Sequence, residues 1–106
     1  MNINVQISAL ADLIVTADTK LQAVIFTCTP AAGGATQRVA IDATNGVTPG
    51  MQAQFVVTDP GVYELSAQAL SVAEALLGNP ANTTVTVTAP ATITIQVPGA
   101  ITATAV

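Results

Sequence analysis

Apolar and polar residues alternate along most of this chain, and a period of two sends successive side chains to opposite faces of a half-buried strand. Ile3, Val5 and Ile7 alternate with Asn2, Asn4, Gln6 and Ser8. After a break over Ala9–Asp12 the extended pattern resumes at Leu13–Thr16. Leu21–Thr29 is apolar on both faces, which predicts a central strand. Val39, Ile41 and Ala43 alternate with Arg38 and Asp42, and Ala53, Phe55 and Val57 with Gln52, Gln54 and Thr58. Val85, Val87 and Ala89 alternate with threonines, as do Ile93, Ile95 and Val97 with Thr92, Thr94 and Gln96. Turn chemistry separates these runs at Pro30–Gly34, Asn45–Gly46, Pro49–Gly50 and Gly78–Pro80. Short strands at about ten-residue spacing predict an all-β sandwich rather than α/β units.

One stretch carries two patterns. Ser66–Leu77 is rich in Ala, Leu, Gln and Glu, sets Leu65, Ala69, Val72 and Leu76 on one helical face, and stops at Gly78–Pro80 as a helix would. Tyr63, Leu65, Ala67 and Ala69, however, alternate with Glu64, Ser66 and Gln68. The alternation predicts a strand to about residue 70, forming a hairpin with Thr83–Ala89. Residues 71–77 stay open between a continued strand and a short helical turn.

With 106 residues the chain has room for one domain. Aromatics are 3% of the residues, with no Trp, so the core is built from small aliphatic side chains. Charged residues are 8%, well below the ~25% of an ordinary soluble domain, which leaves Thr, Gln, Asn and Ser to solvate the surface. Only Lys20 and Arg38 oppose six carboxylates, giving a net charge of −4. A polyphosphate backbone is bound by many cations that displace counterions, so nucleic acid is not an expected partner. No apolar run reaches the roughly 18 residues of a membrane helix, and Met1–Lys20 lacks a basic segment followed by an apolar block. Neither a membrane partner nor a signal peptide is expected.

The inventory for chemistry is thin. Cys28 stands alone and there is no histidine, so an internal disulfide and a zinc site are both excluded; Cys28 reads as a small buried hydrophobe. A serine nucleophile lacks its imidazole base. Asp12, Asp18, Asp42, Asp59, Glu64 and Glu74 fall in different predicted elements and form no close pair and no calcium-binding run. Gly33–Gly34 is followed by no lysine and is a turn, not a phosphate loop. Asn82-Thr83-Thr84 spells a glycosylation sequon, relevant only in a eukaryotic secretory route. No enzyme, cofactor or metal is expected.

The most specific constellation is Asp59-Pro60-Gly61-Val62-Tyr63-Glu64-Leu65. It resembles the Asp-x-Gly-x-Tyr-x-Cys pattern that opens strand F in immunoglobulin-like domains, and the resemblance implies that Tyr63 bonds back to main chain at the E–F corner. Leu65 stands where the family has cysteine, and the strand C tryptophan is missing, which points away from antibody-type domains toward bacterial and bacteriophage branches. On that scheme residues 2–16 are strands A and A′, 20–29 B, 37–44 C, 51–58 E, 61–70 F and 83–89 G. The resemblance also implies an aliphatic contact between Leu65 and strand B in place of the inter-sheet disulfide.

A sandwich of this kind closes before residue 90. The chain is therefore expected to divide into a sandwich, 1–89, and a C-terminal β extension, 90–106, which carries no charge. The Thr-Ile-Thr-Ile-Gln-Val run is an aggregation hazard as a bare edge, so pairing with another subunit is expected, with folding back onto its own sheet as the alternative. Ile93, Ile95, Val97 and Ile101 in the extension, and Ile3 and Val5 at the other end, are the expected contact residues. The resemblance implies a virion structural protein: a decoration or cement protein on a phage capsid, made in the host cytoplasm. It would bridge subunits of the major capsid protein as a homo-oligomer, commonly a trimer. An adhesion or carbohydrate-binding module and a tail or baseplate subunit are the competing readings.

Overall fold

The structure, a computed structural model, describes residues 5–11, 14–16, 21–44, 50–71, 76–97 and 102–104. These residues form nine strands: β1 (Val5–Leu10), β2 (Ile14–Thr16), β3 (Leu21–Pro30), β4 (Gln37–Asp42), β5 (Gln52–Val57), β6 (Gly61–Ser71), β7 (Leu76–Val87), β8 (Ala91–Gln96) and β9 (Thr102–Thr104). They are arranged as a four-stranded sheet of order β4-β3-β6-β7, a three-stranded sheet of order β1-β8-β5, and a two-stranded parallel pair, β2-β9.

The four-stranded sheet is assembled from hairpins. β3 and β4 pair antiparallel across the Pro30–Gly34 turn, where the Gly33 N–H donates to the Pro30 carbonyl at 3.1 Å. β6 and β7 pair antiparallel from Gly61↔Val87 to Leu70↔Leu76, so alternation outweighs helix propensity in Ser66–Ser71. Tertiary pairing is the reason: β6 is hydrogen-bonded on both sides, with Ala67 opposite Phe26 of β3. Residues 72–75, within the stretch that carries two patterns, and the expected turn at Asn45–Gly46 lie outside the described residues.

Gly78–Pro80 is not the turn that its composition suggests. It sits within β7 where the register shifts: Ala67 faces Ala81 while Ala69 faces Leu77. Proline is tolerated in a sheet where no ladder donor is required, at an edge or bulge, and β7 supplies both.

The three-stranded sheet corrects the expected division at residue 90. β8 lies at its centre, parallel to β1 (Val5↔Ala91 to Leu10↔Gln96) and antiparallel to β5 (Gln52↔Gln96 to Val57↔Ala91). Bonds from Gly50 N–H to the Val97 carbonyl (3.0 Å) and from Val97 N–H to the Met51 carbonyl (2.8 Å) extend that ladder. Residues 91–97 are therefore integral to the domain, the outcome in which the run folds back. An apolar strand with both edges paired is the physical resolution of the hazard it carries as a bare edge.

The strand assignments shift as well. β3, expected as strand B facing strand F from the other sheet, is hydrogen-bonded to β6 within one sheet. Cys28 and Leu65 are consequently neighbours across adjacent strands rather than partners across the core.

The two sheets share one core. Val24, Phe26, Leu65 and Ala67 meet Phe55, Ala53, Ile93 and Ile95 in a single buried cluster, giving a sandwich-like molecule with extents of 52 × 24 × 18 Å. Phe26, Ile93 and Ile95 are fully buried.

Candidate interaction surface

The corner between the sheets is built by a short sequence. The chain leaves β5, turns at Thr58–Pro60 and enters β6 in the opposite sheet. Gly61 adopts φ +151°, a region that a side chain disfavours even though an added Cβ would meet nothing within 4 Å. The Tyr63 hydroxyl then donates to the Asp59 carbonyl at 2.6 Å. Burial, followed by the charges of Asp59 and Cys28, pushes the Tyr63 phenol above its ordinary value. Burial likewise pushes the Cys28 thiol up. Neither group is exposed as a nucleophile: Tyr63 is buried with its hydroxyl engaged, and Cys28 is sealed in the core.

Other polar groups are locally spoken for. The Asp42 carboxylate accepts from the Thr44 N–H at 3.0 Å, which holds its pKa below the usual value. The Thr27 and Ser66 hydroxyls bond to each other across β3 and β6. A depression of about 320 Å³ beside the corner is lined by small residues, Pro30, Gly33, Gly34 and Gly61 among them, with Asp59. A second, of about 480 Å³, is lined by Glu64, Asn82, Thr83 and Thr84. Among the described lining residues the titratable groups are Asp59 and Tyr63 in the first and Glu64 in the second. Among the described residues no three of His, Cys, Asp and Glu gather where they would hold a metal ion, and no helix is long and apolar enough to cross a membrane.

The residues expected to meet a partner separate into three groups. Ile93, Ile95 and Val97 point into the chain's own core, at 0–1% exposure, and do not form a surface. The reason is parity: in a central strand whose inner face closes the sandwich, every second residue is committed to the core. Val5 is half exposed at the start of β1. Ile3 and Ile101 lie outside the described residues.

The complementary parity builds a face that sequence reasoning passed over. Rows read across β1, β8 and β5 are Gln6–Thr92–Val56, Ser8–Thr94–Gln54 and Leu10–Gln96–Gln52. Gln6 Nε2 donates to Thr94 Oγ1 at 3.2 Å and Gln96 Nε2 to Gln52 Oε1 at 3.0 Å, tying the three strands together on their outer side. Thr94 is covered by its neighbours, whereas Leu10 and Val56 stand 60% and 67% exposed at diagonal corners. Among the described residues none on this face is charged. The charged residues among those described, Arg38, Asp42, Asp59 and Glu64, lie on β4, on β6 or in the corner. The signal was available in the alternation itself: the polar partners of Ile93, Phe55 and Ile7 are all Thr, Gln or Ser.

At one flank the β5 edge is guarded, since Gln37 Nε2 of β4 donates to the Val56 carbonyl at 3.1 Å. This side-chain cap occupies an acceptor that another strand would otherwise seek.

Compared with protein-family models, with curated proteins and with solved structures, the chain matches none.

Proposed function

We propose that this chain is a non-catalytic structural protein of a virion, an immunoglobulin-like module that decorates the outside of a phage capsid and bridges subunits of the major capsid protein. The observation that carries the reading is the uncharged outer face of the three-stranded sheet. An array of Gln, Ser and Thr with Leu10 and Val56 at its corners suits docking onto another protein: little charge is desolvated, and amides and hydroxyls supply adaptable hydrogen bonds. A three-stranded patch is small beside the ~800 Å² per partner of a stable pairwise interface, so attachment works by many identical weak contacts on a lattice.

The immunoglobulin-like assignment is supported by the Tyr63–Asp59 corner and by strand order. β7-β6-β3-β4 has the order G-F-C-C′ of variable-type domains, and β1-β8-β5 has the order A-B-E. The departure is that β8, from the end of the chain, fills the place of strand B and runs parallel to β1.

The adhesion reading loses its usual chemistry, because sugars stack on exposed aromatics and all three aromatics here, Phe26, Phe55 and Tyr63, are buried. Immunogold labelling of virions produced by the source of the chain tests the proposal. Gold on the head supports it, gold on the tail supports a tail or baseplate subunit instead, and particles that carry no gold overturn both.

A further inference from the structure

We infer that a second copy of this chain is a partner through exchange of the C-terminal strands β8 and β9, each copy placing its β8 between β1 and β5 of the other. Three features of the topology carry this. β8 is the last long strand in the sequence, yet it is central, paired on both edges, and contributes Ile93, Ile95 and the buried Thr94. The whole three-stranded sheet depends on it, because β1 and β5 touch β8 and do not pair with each other. Finally, β8 joins β7 through only Thr88, Ala89 and Pro90, which cross from one sheet to the other.

Exchange preserves the strand pairings of β8 and β9. Ile7 still meets Ile93, Phe55 still meets Ile93 from the other side, and β9 follows to the partner's β2, so among the described residues the change of conformation falls on the three-residue crossover. Opening the crossover lets β7 run on into β8, and Pro90 disfavours the compact conformation of the preceding residue. Neither depression and no charge cluster is involved. The inference concerns the isolated chain and stands apart from what the outer face docks against.

The closed monomer is favoured in dilute solution, where the tethered strand experiences an effective concentration on the order of millimolar. The test is therefore refolding of the full chain from denaturant at about 10 µM and at about 1 mM, near that limit, followed by dilution and light scattering after gel filtration. The expected result is monomer from the dilute sample and a substantial dimer fraction from the concentrated one, persisting for hours after dilution because release requires unfolding of β8. In a dimer refolded from equal parts of ¹³C-labelled and unlabelled chain, isotope-filtered spectra should show contacts between Ile7 of one chain and Ile93 of the other. Inserting Gly-Ser-Gly-Ser between Ala89 and Pro90 should lower the dimer fraction several-fold by easing closure. Monomer at both concentrations, a dimer that dissociates within minutes of dilution, or Ile7–Ile93 contacts confined to one chain overturns the inference.

Discussion

The two sheets of this molecule are made from the same residue types and solve opposite problems. The four-stranded sheet is two hairpins laid side by side, with partners such as Cys28 and Gln37 close in sequence, and its outer face carries Arg38, Asp42 and Glu64. The three-stranded sheet contains no hairpin: Val5 pairs with Ala91 and Val57 with Ala91, and its outer face is neutral. One sheet can form from local contacts, whereas the other closes only when the two ends of the chain meet over its surface. Loop-closure entropy assigns them an order, hairpins first and β8 last. The difference teaches that the terminal segment is the keystone of the fold rather than an appendage.

Core truncations test that order with the largest effects. Leu65→Ala in β6 and Ile95→Ala in β8 each remove a fully buried aliphatic side chain and should cost about 2–5 kcal/mol in urea unfolding. Stopped-flow kinetics should separate them: Leu65→Ala slows folding, while Ile95→Ala chiefly accelerates unfolding. The reverse partition would mean that the three-stranded sheet forms first.

The corner that joins the sheets comes next. Gly61→Ala should destabilise by roughly 1–3 kcal/mol through backbone strain, since space for the methyl group exists. Tyr63→Phe keeps the packing and deletes the bond to Asp59, for an expected loss of about 1 kcal/mol. If Tyr63→Phe proved neutral, the corner would be a packing device and not a hydrogen-bonded one.

Among the described residues, alkaline pH acts through the four-stranded sheet. Cys28 and Tyr63, both in the four-stranded sheet, are kept protonated by the fold, with ordinary values of 9.0 and 10.0 raised on folding. An acid whose pKa is raised binds its proton more tightly in the native state. Its contribution is complete below the ordinary value and is lost as pH climbs through the raised one. Denaturant midpoints should therefore be unchanged by these groups at pH 7–8 and fall above about pH 9. The Cys28→Ala, Tyr63→Phe double variant should flatten that fall, and an equally steep fall in it would assign the sensitivity elsewhere.

The smallest effect on stability is expected on the neutral face. Gln54→Lys changes an exposed position and should move the unfolding free energy by less than about 0.5 kcal/mol. The same substitution should weaken attachment to capsid shells in a co-sedimentation assay, because each copy on the lattice then presents a charge to an uncharged contact. Undiminished attachment would place the docking surface on the charged sheet.

Period-two alternation by itself determined the all-β class, most of the segments that become strands, though not Leu76–Asn82 or Thr102–Thr104, and, through parity, which side chains of the alternating strands face the core. Asp59-Pro60-Gly61-Val62-Tyr63 marked the corner in the same way, since a glycine backbone and a tyrosine hydroxyl four residues from its acceptor are local matters. Pairing is different. Alternation says that Ile93 and Ile95 are buried but not beneath which strands, because any apolar face satisfies any other of similar size until register and volume are set together. Tertiary packing alone decided that β8 enters between β1 and β5, that β3 lies beside β6, and that Gly78–Pro80 is a bulge within an edge strand. The neutral outer face is the by-product of both: the Thr, Gln and Ser positions are written in the chain, and only the closing of three distant strands brings them onto one surface.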